Sequence, residues 1–492
     1  NRYEWFSASA NNLLVQNIWD LKATTGEQIT NGNKQHISLR GVFYRLNYIY
    51  KDRYLLELDG RYDGTSRFPK HSRFGFFPSA SAGWRISEEP FMTEAKIWLN
   101  NLKIRASYGE LGNQALGSNY YPYIPAMTPG TGNYLMNGDR IPYVAPAGLV
   151  SSALTWEKVA TRNIGLDLSV LKQRLDVSFD AYIRYTKDML MDVLYPDILG
   201  TSAPKENAAD LRTKGWELSI NWHDKIDRDW KYGLTLTLSD NQTEIIKYEN
   251  PTGALSEYYV GQKLGEIWGY VTEGIFQTDD EVATHADQSL LGTNWKAGDI
   301  AYANLDDDNQ ITPGNNTLDN PGDRRIIGNS TLRYSFGISP NVSWKNWSLN
   351  IFFQGILKGD YLPPGNTTWV AFYPLKSTYI DKYYLTECWS EDNRDAYFAA
   401  PHISQNNPKN THDQSRYVQN AAYIRLKNLT LNYTLPSVLT KKVGISRASV
   451  YLAGMNLWEY TKMHKPLDPE QTDLSMRYPR QRIFSLGVKI TL

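Results

Sequence analysis

Short and long connections alternate along this chain, and few folds accept that pattern. Alternation and turn chemistry predict about fourteen strands. They begin with Tyr3–Asp20, Ser38–Tyr50, Tyr54–Ser66 and Arg73–Ser87, and end with Tyr417–Leu435, Ala448–Thr461 and Arg482–Leu492. One set of connections is short: Lys51-Asp52, Lys172-Gln173, His223–Asp229, Lys345-Asn346 and Pro436–Arg447, joined by a helical-looking stretch from Glu88 to Trp98. The other set holds Asn113–Glu157, Asp188–Ala208, Ile246–Thr331, Gly359–Arg416 and Lys462–Gln481. A soluble sandwich has no reason to collect its long loops at one end. A membrane-spanning barrel does, with short turns on one side of the bilayer and long loops on the other.

The strands themselves alternate. Leu175, Val177, Phe179, Ala181, Ile183 and Tyr185 are interleaved with Asp176, Ser178, Asp180, Tyr182 and Arg184. Trp216, Leu218, Ile220 and Trp222 face away from Glu217, Ser219 and Asn221. A wet face and an apolar face describe a wide, water-lined barrel in lipid, where open sheet edges are not tolerated. Within Tyr417–Leu435 the phase slips between Leu426 and Leu429, which predicts a bulge. No apolar run approaches the ~18 residues of a membrane helix. The mean hydropathy of −0.50 is compatible with a barrel, whose apolar band occupies every second residue. The 34 Tyr and 15 Trp suit a membrane interface, although a secreted carbohydrate-active β protein is also aromatic-rich.

Basic and acidic residues balance at 52 each, which removes any bulk-charge argument for nucleic acid. The single cysteine, Cys388, reads as a buried small residue. No catalytic constellation is present: the seven His are scattered, and the Gly109–Gly112 run lacks the helix that a phosphate loop needs. Asp279-Asp280-Glu281 fits a solvated turn or a helix N-terminus. Asn304, Asp306 and Asp308, followed by Ile311, have the spacing of the first half of an EF-hand-like Ca²⁺ loop, with Asn309 at the glycine position and the Gln310 carbonyl as a further donor. An Asx-rich turn without metal fits the same residues. Trp268, Trp295, Trp369 and Trp389, in the long loops, suit either stacking on sugar rings or packing the loops together. The chain opens within a strand-like pattern with no signal peptide, so it is expected to begin inside a larger protein.

Several words in this sequence carry a more specific signal. DGRYDGTSRF (Asp59–Phe68), RFGFFPSASAGWRISEEPF (Arg73–Phe91), LKIRASYGELGN (Leu102–Asn113), GQKLGEIWGYVTEGIFQTDDEV (Gly261–Val282), YIRLKNLTLNYTLP (Tyr423–Pro436) and VYLAGMNLWEYTKMHKPLDPE (Val450–Glu470) resemble the SusC/RagA family of TonB-dependent outer-membrane transporters. GDIAYANLDDDNQI and DRRIIGNS resemble it as well. The resemblance implies an all-β transmembrane antiparallel barrel of about 22 strands. This chain would supply its C-terminal portion, with the plug, the TonB box and the first strands outside it. Residues 246–331 and 359–416 would be large extracellular loops, and Leu492 would be periplasmic. The expected activity is TonB-driven import, of oligosaccharides or, in the RagA branch, of peptides, under a SusD-like surface lipoprotein. The family pattern also adds Asp323 to the Ca²⁺ ligands. An autonomous porin of about fourteen strands and a secreted carbohydrate-active β protein are the alternatives. Ile267, Trp268, Tyr270, Trp369, Phe372 and Tyr373 are expected as an apolar rim on which the lipoprotein sits.

Overall fold

The computed structural model describes residues 2–491 apart from 115–116, 118–119, 193–197, 199, 201–202, 364–383, 402–407, 466 and 473–479. In chain order the strands begin with β1 (Arg2–Ala10), β2 (Gln28–His36), β3 (Leu39–Tyr50), β4 (Tyr54–Thr65), β5 (Phe74–Arg85) and β6 (Leu99–Asn113). They continue as β7 (Thr128–Met136), β8 (Asp139–Ala145), β9 (Glu157–Val170), β10 (Leu175–Asp192), β11 (Lys205–Lys225) and β12 (Trp230–Lys247). Next are β13 (Glu266–Tyr270), β14 (Thr272–Ile275), β15 (Ile300–Tyr302), β16 (Arg324–Asn329), β17 (Arg333–Trp344) and β18 (Trp347–Lys358). The last are β19 (Asp360–Tyr361), β20 (Gln419–Asn420), β21 (Tyr423–Thr434), β22 (Arg447–Thr461) and β23 (Ile483–Thr491).

Thirteen strands form one sheet, ordered β3-β4-β5-β6-β9-β10-β11-β12-β17-β18-β21-β22-β23. Strands skipped between β3 and β23 lie inside loops, so the sheet is an up-and-down meander, the topology of a barrel wall. The one expected strand that does not join it is Tyr3–Asp20. Arg2–Ala10 pairs with Gln28–His36 in a separate hairpin, and residues 11–20 leave the strand. The Glu88–Trp98 stretch is not a helix but a chain of short 3₁₀ turns, Ile86–Glu88, Pro90–Met92 and Glu94–Ile97. The predicted bulge is present: register shifts between Leu426 and Asn428 against β22 and between Phe352 and Phe353 against β18. Asp279–Thr284 is a short helix whose first turn holds the three acidic residues, with the Thr278 side chain accepting from the Glu281 amide.

Turn geometry fixes the registers. Lys51 and Asp52 both take left-handed φ (48° and 58°) in a tight three-residue connection, Lys51–Arg53, whose Arg53 amide donates to the Tyr50 carbonyl at 3.0 Å. Tyr50 then faces Tyr54. Since a slip by one residue would invert both faces, this turn commits the whole alternation.

The two faces differ as the sequence predicts. One lateral row runs Leu166–Phe179–Leu218–Leu238–Phe336 across five strands. The row beside it, on the opposite face, runs Gly165–Asp180–Glu217–Ser239–Ser335. The apolar face is bare: Ile164 is 64% exposed, and Leu486 at the sheet edge 77%. Exposed apolar area on this scale marks a surface meant for something other than water. From Leu175 to Ile183 the band runs eight rises of about 3.4 Å. At a barrel tilt of roughly 40° that is about 21 Å of height, near the apolar band of an outer-membrane barrel.

Aromatic residues end this band beside the short turns. Tyr50, Tyr54 and Trp84 are successive cross-strand partners, and so are Trp230, Trp344, Trp347 and Tyr433. The Trp230 and Trp344 rings stack at 5.6 Å, and Trp347 meets Tyr433 at 4.6 Å. Amphipathic rings at one level form the girdle expected where apolar core gives way to headgroups.

Candidate functional site

The polar wall and the loops folded at one end of it make up the candidate site. On the wall, Arg105 of β6 is the centre of a charge network. Its two terminal nitrogens donate to the two Asp180 oxygens at 2.5 Å each, and its Nε donates to Asp167 at 3.1 Å. Asn163 donates to Asp180 at 2.6 Å. Charge-assisted bonds of this fork geometry hold the wall's side chains in fixed positions. Beside them lies an open hollow of about 370 Å³, lined on the polar face by Asn47, Glu57, Ser81, Lys103, Arg105 and Asn163. Apolar Ile49 and Leu55 line the same hollow, so polar and apolar groups alternate along it.

The two longest loops fold into one body. Their core holds Tyr270, Ile300, Tyr302, Ile311, Phe398 and Tyr417, all 5% exposed or less. A buried ion pair ties the loops together: Lys409 Nζ lies 2.5 Å from Asp299 Oδ2, with the two side chains 4% and 0% exposed. Asn410 donates to the other Asp299 oxygen at 2.8 Å, and Tyr302 donates its hydroxyl to the Lys409 carbonyl at 2.7 Å. A second cluster sits over the top of β21. Arg425, 3% exposed, pairs with Glu459, Asp468 and Glu470, while Lys427 donates to Glu470 at 2.8 Å. Burial pushes the Glu470 carboxyl up, but Lys427, Tyr423 and Arg425 outweigh it and hold it below the ordinary glutamate range.

The residues expected to meet cargo or partner are largely committed to this packing. The Trp268 indole donates to the Tyr259 hydroxyl at 3.2 Å, Trp295 to the Gly292 carbonyl at 3.0 Å, and Trp389 to Gln277 at 3.2 Å. Trp295 and Trp389 line the same core, with Lys409 Nζ 5.7 Å from the Trp295 ring. Gly298 has φ +91°, and a Cβ there would stand 2.5 Å from the Trp389 ring. Of the expected apolar rim, Tyr270 is instead core, because two buried loops need an aromatic centre of their own; Trp369, Phe372 and Tyr373 lie outside the described residues. Cys388 is partly buried, and burial pushes its thiol up to about 12, which makes it an inert side chain.

The Asn304–Asp323 segment is a tight Asx-rich turn. Asp307 and Asn309 take left-handed φ of 60° and 63°, and at Asn309 this is what the glycine position of such a loop requires. Asp308 accepts from the Gln310 amide at 2.8 Å. Asp323 is fully buried and clips the ends of the turn, accepting from the Leu305 and Thr312 amides at 2.7 Å each. The Asn304 side-chain oxygen is buried and has no hydrogen-bond partner. All these donors are oxygens, and an orphaned acceptor beside them fits a hard cation. Among the described residues, no three His, Cys, Asp or Glu side chains converge in a metal-holding group.

The sequence reading missed the Asp299–Lys409 pair and the Arg425 cluster. The girdle did leave a signal, since Tyr50-Lys51-Asp52-Arg53-Tyr54 and Trp344-Lys345-Asn346-Trp347 set aromatics on both sides of a turn.

A meandering sheet with one polar and one apolar face, an aromatic girdle at its short turns and folded loops at the other end defines the wall of a transmembrane β-barrel. The chain belongs to the family described as TonB dependent receptor-like, beta-barrel, whose profile matches residues 2–457. It is 28% identical over 483 residues to TonB-dependent receptor P3 of Formosa agariphila, covering 92% of this chain and 45% of that protein. It is 28% identical over 470 residues to TonB-dependent receptor SusC of Bacteroides thetaiotaomicron, covering 92% and 44%. Among solved structures, the RagAB peptide transporter superposes with a TM-score of 0.78 at 24% identity, covering 99% of this chain and 52% of that one. The chain thus spans about half the length of the relatives it matches. Its fold is that of the TonB-dependent receptor barrels, and it is similar to SusC and to the RagAB transporter.

Proposed function

We propose that this chain is the C-terminal barrel portion of a transporter that imports oligosaccharides across the outer membrane. On this reading the import is driven by TonB through segments outside the chain, and a SusD-like surface lipoprotein caps the barrel. The observation that carries the reading is the loop body built from the described parts of residues 246–331 and 359–416 at one end of a polar wall. Loops of that length with their own core are functional parts rather than slack. The half-exposed faces of Trp268, Trp295 and Trp389 are the candidates for stacking on sugar rings. The likeness to the RagAB peptide transporter favours peptide as the second cargo class. Calorimetric titration of the purified full-length transporter, with its lipoprotein, against oligosaccharide and peptide panels tests this. Oligosaccharide binding is expected, and binding of peptides alone would overturn the cargo assignment.

The same reading puts the long loops at the cell surface and the short turns and Leu492 in the periplasm. With Cys388 replaced by serine, Ser256→Cys is expected to react with an impermeant maleimide on intact cells, and Arg228→Cys only after lysis. The reverse pattern would invert the topology.

We also propose that Asn304, Asp306, Asp308, the Gln310 carbonyl and Asp323 hold Ca²⁺, which would rigidify the turn over the loop core. The orphaned Asn304 oxygen is the support. Saturating Ca²⁺ at about 100 times its Kd would stabilise the loop body by about 2.7 kcal/mol. Chelation is therefore expected to speed proteolysis of this loop in the wild type and not in D306N/D308N. Equal rates with and without chelator, and no calcium by elemental analysis, would exclude the site.

A further inference from the structure

On the apolar face, the rows change character abruptly on the long-loop side of one sector. Ile164, Ala181 and Trp216 form the last apolar row across β9, β10 and β11. In the next row Arg162 faces Ile183, which faces Lys214. Two rows further, Lys158 and Lys187 stand directly opposite one another. By strand parity all four basic residues lie on the same face as the lipid-facing apolar residues, and all four are exposed. Among the described residues none of them has an ion-pair partner, whereas the acidic groups nearby are engaged. Glu110 accepts from the Tyr108 hydroxyl, Glu244 pairs with Arg212 at 2.7 Å, Asp240 with Arg333 at 2.5 Å, and Asp210 accepts from the Asp188 amide at 2.9 Å.

Lysines set opposite each other across a strand pair repel, so the arrangement is unfavourable unless an anion covers it. The patch is also local. At the long-loop ends of β21 and β22, the corresponding face carries Ile424, Leu426, Trp458 and Tyr460. Arg162 and Lys214 are two strand spacings apart, roughly 10 Å, and Arg162 and Lys158 four rises, roughly 13 Å. One phosphate cannot span these distances. An occupant with several phosphates above and acyl chains against the apolar rows below matches both halves of the surface.

We infer that Lys158, Arg162, Lys187 and Lys214 form a binding site for the phosphate groups of outer-leaflet lipid, on one headgroup or on adjoining ones. The inference rests on the outer-membrane reading above. Headgroup oxygens neutralise the lysine pair, and the bound lipid fixes the height of the barrel beneath its loop body. The test uses the delipidated full-length transporter, as wild type and as K158Q/R162Q/K187Q/K214Q, both first shown to migrate as folded barrels without heating. Each is mixed with micelles of phosphorylated lipid A, with its dephosphorylated form, or with inorganic phosphate, and retained lipid and Tm are measured. Each basic residue near a charged lipid surface is worth about a factor of five, so loss of all four is expected to weaken retention of phosphorylated lipid by at least about tenfold and by up to roughly 600-fold. Dephosphorylated lipid and inorganic phosphate are expected to leave wild-type Tm unchanged. Equal retention by both proteins, or an equal response to inorganic phosphate, would overturn the lipid site while leaving the barrel intact. A wild type that never shows folded-barrel mobility would remove the placement on which the inference rests.

Discussion

A transporter carrying Lys409→Met is expected to lose its folded loop body while keeping its barrel wall. Asp299 is fully buried, and its carboxylate is held by Lys409, Asn410 and the Lys296 amide. Removing the lysine takes a buried counter-ion away from a buried carboxylate, a change that costs about 3–5 kcal/mol. That is a large part of what a loop body with a single small core can supply. The wall does not share the loss, since its hydrogen bonds run strand to strand. Trypsin is therefore expected to cut residues 246–331 and 384–416 far faster in the variant, while unheated protein still migrates as a folded barrel. Asp299→Leu combined with Lys409→Met should recover much of the loss, because an apolar pair of similar volume needs no counter-ion. Unchanged protease resistance in the single variant would show that the pair does not hold the loops together.

The second large effect separates the two faces. Leu218 lies in the middle of the apolar row and Glu217 on the polar face beside it. Leu218→Arg puts a charge into the hydrocarbon and is expected to cost about 2–4 kcal/mol near the midplane, lowering the folded fraction on membrane assembly. Glu217→Arg, one residue away, faces water and is expected to be nearly neutral. Equal damage from the two would mean that neither face meets lipid.

The wall was legible because a period of two is written into consecutive residues. Leu175–Tyr185 and Trp216–Trp222 declare their faces without help from any other segment, and even the bulge shows as a phase slip between Leu426 and Leu429. Tyr3–Asp20 misled because its alternation is real over Arg2–Ala10, while its partner is a nearby strand outside the sheet. The loop body was not legible. Asp299 and Lys409 are 110 positions apart, in segments with no period. Arg425 reads as an ordinary polar strand residue, and only the fold brings Asp468 and Glu470 to it. Trp268, Trp295 and Trp389 were visible as loop aromatics, but which groups they touch is a tertiary property.

A barrel wall of this kind has lipid on one side and water on the other. Spin labels placed singly at each position from Trp216 to Trp222, in the full-length transporter reconstituted in bilayers, test it most directly. Collision rates with oxygen, which concentrates in lipid, and with a polar nickel chelate are measured at each site. Oscillations of period two and opposite phase are expected, with oxygen maxima at Trp216, Leu218, Ile220 and Trp222 and nickel maxima at Glu217, Ser219 and Asn221. Profiles without a period of two, or with both reagents in phase, would contradict that arrangement of lipid and water.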